Sequence, residues 1–239
     1  MKLFKIDFSF IITILLIIFS PFQKYIIALL IALMIHEFGH IILAIIFKIK
    51  IYSIRLTAFG LFMDAEVVGL VFIKELLFYS SGILAGIIFS FIFKDIYCDM
   101  NKYIILVNLI PIYPFDGYQI LKSIISYFNK YLATLYFCSL FGIIVALVLV
   151  FLSFFTNTYI LIGNLVYGLL LNMLELRKTR YIYESFLLYR YLNETSFNKK
   201  YVKLSKVIWK CLYKYHNIYT YLGKNKIDED EILDLHYRP

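Results

Sequence analysis

Charge is scarce in this chain, and the scarcity decides its class before any motif is read. Of 239 residues only 17% are Asp, Glu, Lys or Arg, 62% are hydrophobic, and the mean hydropathy is +0.80. Soluble globular domains sit nearer a quarter charged and half apolar. Apolar runs of the length found here also exceed what a water-soluble core of this size can hide, which leaves a polytopic membrane protein. Cysteine is nearly as sparse: Cys98, Cys138 and Cys211 stand apart, with no C-x-x-C spacing. That argues against both a disulfide framework and a thiolate zinc site, and the three read as small apolar residues. The net charge of +8 is unevenly placed. Residues 1–176 hold 11 Lys and Arg against 9 Asp and Glu, whereas residues 177–239 hold 13 against 7. The basic residues of the tail form no nucleic-acid motif and adjoin a membrane span, so no nucleic-acid partner is expected.

A spanning helix needs about 20 mostly apolar residues, and six runs qualify or nearly do: residues 8–19, 25–47, 76–93, 103–125, 132–155 and 159–176. The first is short, follows Lys2 and Lys5, and stops at Ser20-Pro21. A signal peptide begins similarly, but no small-x-small cleavage site follows, so it reads as a retained helix. The fourth run is broken by Pro111 and Pro114. Between the second and third runs, residues 51–69 alternate in polarity, as in Ile51-Tyr52-Ser53-Ile54-Arg55-Leu56, which predicts a small interfacial β-hairpin. The expected fold class is therefore an all-α membrane protein of six transmembrane helices with that hairpin. Residues 1–176 form the membrane domain, and residues 177–239 a short basic cytoplasmic tail with room for a few short helices. Lys and Arg in the short loops place both termini in the cytoplasm. The tail either enforces that topology or docks a partner.

The second run is interrupted only by His36, Glu37 and His40. In His36-Glu37-Phe38-Gly39-His40 the two histidines lie four apart on a helix, so both imidazoles leave one face and can share a metal ion. Glu37 is then the base that takes a proton from an attacking water, while zinc acidifies that water and polarises the carbonyl. Two histidines and a carboxylate within an apolar span cost several kcal/mol unless partnered, roughly as intramembrane charges do, and a metal site removes all three costs together.

A catalytic zinc wants three protein ligands and an open position. His216 and His236 lie in the tail, which leaves Asp116, within Asn108-Leu109-Ile110-Pro111-Ile112-Tyr113-Pro114-Phe115-Asp116-Gly117. Asp116 sits midway along the fourth run as His36 does along the second, and the alternative is a turn that satisfies itself. Two prolines and a glycine break the helix and make room for a substrate. Asn108, Pro111 and Pro114 are the candidate substrate-binding residues, and Asn108 can hydrogen-bond an extended peptide. Ser80-Ser81-Gly82 and Gly86 in the third run read as small-residue packing positions.

H-E-x-x-H in one transmembrane helix and N-x-x-P-x-x-P-x-D-G in a later one resemble the site-2 protease family of intramembrane metalloproteases, most like its stage IV sporulation members. The resemblance covers roughly residues 1–195, including Tyr183-Glu184-Ser185-Phe186-Leu187-Leu188-Tyr189-Arg190. It implies one zinc ion per chain held by His36, His40 and Asp116, Glu37 as general base, and Asn108 near the substrate. It further implies a membrane-associated pro-sigma factor as substrate and inhibitory membrane proteins as partners. Sporulation members commonly carry a nucleotide-sensing CBS domain after the last span, and residues 177–239 are too few for a full one. Two other readings share the ligands. One is a protease acting on an anti-sigma factor, signal-peptide remnant or peptide pheromone, and the other a non-catalytic zinc transporter or binding protein. Glu37 separates them, because a transport site needs no non-ligating base between its histidines.

Overall fold

The computed structural model describes residues 4–6, 23–57, 60–92, 94–155, 159–193, 197–202, 208–222 and 225–237. Two compact units divide the chain: residues 1–67 with 73–110, and residues 68–72 with 111–239. The expected helix over residues 8–19 lies outside the described residues.

In the first unit, α1 (Gln23–Ile46) is unbroken for 24 residues, a rise of about 36 Å that exceeds the roughly 30 Å of a bilayer's hydrocarbon. Its buried residues are Ala28, Ala32, His36, Gly39, His40 and Ala44. Steps of three and four place them on one face. Small residues there let neighbouring backbones approach closely, the packing rule of membrane helices. Met34, Phe38, Ile42 and Ile45 lie exposed on the rest of its surface, the arrangement expected where lipid replaces water. α2 (Phe72–Ser90) buries Phe78, Ser81, Gly82 and Gly86, and α3 spans Asp95–Leu109. Asn101 of α3 donates to the Gly86 carbonyl at 2.6 Å and to Ser90 Oγ at 2.8 Å, joining α3 to α2.

The expected hairpin is present as β2 (Ile51–Thr57) antiparallel to β3 (Gly60–Ala65), and β1 (Phe4–Ile6) adds a third, parallel strand. The register shifts between Ile51 and Ser53. At the open end Tyr52 Oη donates to Glu66 Oε2 at 2.6 Å.

The second unit contains α4 (Asp116–Phe128), α5 (Tyr131–Phe155) and α6 (Tyr159–Leu192). The expected fourth run is thus two helices, α3 and α4, separated by residues 110–115. Proline cannot donate its missing N–H to a helix interior and its ring displaces the preceding turn, so the backbone leaves the helix where Pro111 begins the break. Of the six expected spans, three helices among the described residues are long and apolar enough to cross a membrane: α1, α2 and α5.

The expected sixth run does not end at residue 176 but continues in α6 to Leu192. After it come β4 (Lys199–Tyr201), a single 3₁₀ turn (Ile208–Cys211), β5 (Asn217–Leu222), β6 (Asn225–Asp228) and α7 (Glu229–Tyr237). The tail was expected to have room for a few short helices; among the described residues it holds one, α7, together with a three-stranded sheet of order β4-β5-β6. The reason is a period of two. Ile218 and Thr220 of β5 are buried, while Tyr219 and Tyr221 between them are not. Leu212, Ile218, Ile232 and Leu233 of the tail share one apolar core with Tyr131 and Leu135 of α5 and with Phe186 and Leu187 of α6.

Beneath that core, Arg190 Nη2 and Glu229 Oε1 pair at 2.6 Å, both almost wholly buried. The guanidinium also donates to the carbonyls of His216 (3.1 Å) and Lys214 (3.4 Å), and Glu229 Oε2 accepts the Ile218 N–H at 2.8 Å.

Candidate metal centre

His36 and His40 are buried, 2% and 6% exposed, and their Nε2 atoms face each other at 3.3 Å. Two Zn–N bonds of about 2.0–2.1 Å at a tetrahedral angle subtend an N···N edge of about 3.3–3.4 Å. The pair therefore already has the spacing that one shared ion requires.

The outer contacts of the pair set its tautomer. His40 Nδ1 lies 2.9 Å from the Phe78 carbonyl, which can only accept, so Nδ1 carries the proton and Nε2 presents its lone pair. Ser81 Oγ is 3.1 Å from the same Nδ1 and itself donates to the Phe78 carbonyl at 2.7 Å. A second ring nitrogen fixed by a carbonyl is the usual support of a metal-binding histidine. Gly82 completes the cradle. A methyl group there would stand 2.5 Å from His36 Cε1 and 2.6 Å from His40 Nε2, well inside van der Waals contact. The residues read as packing positions thus do more: Ser81 orients one imidazole and Gly82 gives both rings their space. Glu37 follows His36 on α1 and is partly buried.

Asp116 belongs to the second unit, where it is the first residue of α4. A carboxylate in the first turn of a helix is stabilised by the unpaired backbone N–H groups there. The non-helical segment before it is closely tied. Phe115 N–H donates to the Ile112 carbonyl at 2.9 Å and Tyr118 N–H to the Phe115 carbonyl at 3.1 Å, and the Tyr113–Pro114 peptide is cis. Pro111 and Pro114 both lie in this segment. Asn108 precedes it, in the last turn of α3, and its side-chain amide donates to the Ile104 carbonyl of its own helix at 3.1 Å.

One residue that the sequence reading passed over is Asn172 of α6, 0% exposed. Its Oδ1 accepts the Tyr113 N–H at 3.3 Å, and its Nδ2 donates to the Tyr113 carbonyl at 3.2 Å and to the Gly168 carbonyl at 2.8 Å. The available signal was an amide inside an apolar run, a costly placement unless it has work to do.

No protein-family model matches the chain, and no curated protein does either. Among solved structures, the fold is similar to that of the site-2 protease from Methanocaldococcus jannaschii. The TM-score is 0.55 at 23% sequence identity, over 72% of this chain and 90% of that one. At this identity the likeness establishes a common fold.

Proposed function

We propose that this chain is an intramembrane zinc endopeptidase of the site-2 protease type. The observation that carries the proposal is the His36–His40 pair: two buried Nε2 atoms at 3.3 Å on a helix able to cross a membrane, with Glu37 between them. The shared fold supports it.

Two imidazoles and a carboxylate make a donor set suited to one ion, so Asp116 is proposed as the third ligand beside His36 and His40. Bound zinc supplies a Lewis acid that acidifies a water and polarises a carbonyl. The chain supplies the rest. Glu37 removes the proton from the attacking water and returns it to the leaving amine. His40, held by Phe78 and Ser81, keeps its lone pair on the metal side. The helix break at Pro111 and Pro114 makes room for an extended peptide, and Asn108 binds that peptide once its amide swings from the Ile104 carbonyl.

The substrate proposed is a membrane-associated pro-sigma factor, trimmed at its N-terminal propeptide during sporulation. Both termini are proposed to lie in the cytoplasm, and inhibitory membrane proteins to hold the enzyme silent. Co-expression with candidate pro-sigma factors, comparing wild type with Glu37→Gln, tests the proposal. Trimming should fall on the order of 10²–10⁴-fold in the variant, while zinc stays bound. A variant that trims as well as wild type would overturn the mechanism. If wild type trims no candidate, the sporulation assignment falls and anti-sigma factors and signal-peptide remnants become the substrates to try.

A further inference from the structure

We infer that Asn172 is a positioning residue for Asp116, acting through the backbone of Tyr113. The inference rests on the reading of Asp116 as a metal ligand.

Residues 110–115 leave the helix inside a largely apolar unit, where each bare N–H or carbonyl is costly. A carboxamide can satisfy the N–H and the carbonyl of one residue at once, since it offers a carbonyl and an NH₂ together. Asn172 does this for Tyr113, accepting its N–H at 3.3 Å and donating to its carbonyl at 3.2 Å. The second Nδ2 proton goes to Gly168 of its own helix at 2.8 Å, so the amide itself is held from behind. Three bonds fix its plane.

The surroundings are fitted to that plane. A methyl group at Gly142 of α5 would overlap Asn172 Oδ1 and stand 3.3 Å from the Pro111 carbonyl, and one at Gly168 would press on Ile112 at 3.0 Å. Ile112 is itself fully buried. Two residues separate Tyr113 from Asp116, and the Phe115-to-Ile112 and Tyr118-to-Phe115 hydrogen bonds that bracket them leave little slack. Fixing Tyr113 therefore fixes where α4 begins, and with it the direction of its first carboxylate.

Neither alternative residue reproduces the clamp. Aspartate has the shape but no donor, and would set negative charge against two carbonyls. Alanine removes both bonds to Tyr113.

The test is metal binding by the full purified chain in detergent, with zinc affinity and the visible spectrum of the Co²⁺-loaded protein as readouts. Asn172→Ala should weaken zinc binding about 10–100-fold, the usual cost of losing an outer support. It should also change the Co²⁺ spectrum, while far-UV circular dichroism shows intact helices. Gly142→Ala, which displaces the amide without removing it, should move both readouts the same way. A folded Asn172→Ala that binds zinc with wild-type affinity and an unchanged Co²⁺ spectrum would overturn the inference. Should that variant not fold, the isosteric Asn172→Asp takes its place under the same two outcomes. If neither folds, Asn172 serves the fold alone and the inference is likewise overturned. Asp116→Asn is run in parallel: if it too binds zinc normally, the failure belongs to the ligand assignment and not to the clamp.

Discussion

Gly82 supplies space at the histidine pair, and Ser81 supplies direction. Gly82→Ala pushes a methyl group into both imidazole rings. The three atoms nearest that methyl all belong to the two imidazoles, so the rings must move. Overpacking of this kind costs about 1–3 kcal/mol, and the 3.3 Å nitrogen spacing is what gives way. Equilibrium dialysis against zinc should show affinity falling at least tenfold, with cleavage lost in proportion. Ser81→Ala removes one contact to His40 but keeps the Phe78 carbonyl, so a smaller loss, a few-fold, is expected in the same assay. His36, Glu37, His40 and Asp116 were picked out in the sequence as candidates, because metal chemistry favours these residue types and, for the two histidines, a spacing of four. Ser81, Gly82 and Asn172 were not. Their roles depend on which neighbour each helix face meets, and a spacing rule within one helix carries no such information.

At the scale of elements, α1 and the β2–β3 hairpin were readable from hydropathy and alternation. The tail's sheet was not, because β4 and β6 are only three and four residues long and the outward face of β5 carries Tyr219 and Tyr221, whose rings blur its polar–apolar alternation. That tail is pinned to α6 by Arg190 and Glu229. Removing one partner of a buried ion pair costs about 3–5 kcal/mol, so Arg190→Ala should lower the melting temperature sharply and expose the tail to limited proteolysis before the membrane helices unfold. His216, beside Tyr127 at 5.2 Å between ring centres, adds a pH dependence. Burial first, then Lys200 and Arg190, hold its pKa below the ordinary 6.5. The unfolded chain therefore binds this proton more readily than the folded one, and stability falls as pH drops through the window below 6.5. A thermal series from pH 7.5 to 5.5 should show that decline, and His216→Gln should flatten it.

For the whole molecule, zinc is expected to bind the folded chain and not the unfolded one. Saturation at about 100 times the dissociation constant then adds about 2.7 kcal/mol of stability. Differential scanning fluorimetry in detergent should record the upward shift. A strong chelator should reverse it, and His36→Ala should abolish it. An equal shift in His36→Ala would place the ion elsewhere. In the second unit, the Asn172–Tyr113 contact is open to mechanical control along α6. α6 is a single helix of 34 residues, about 50 Å long, with Asn172 along its course and Arg190 near its end. An α-helix barely compresses along its axis, so a push of 1 Å on the Arg190 end arrives at Asn172 almost undiminished. Added to bonds of 3.2 and 3.3 Å, that displacement exceeds hydrogen-bonding reach. The helix works as a pushrod: whatever grips the residues after α6 has its hand on the backbone of Tyr113.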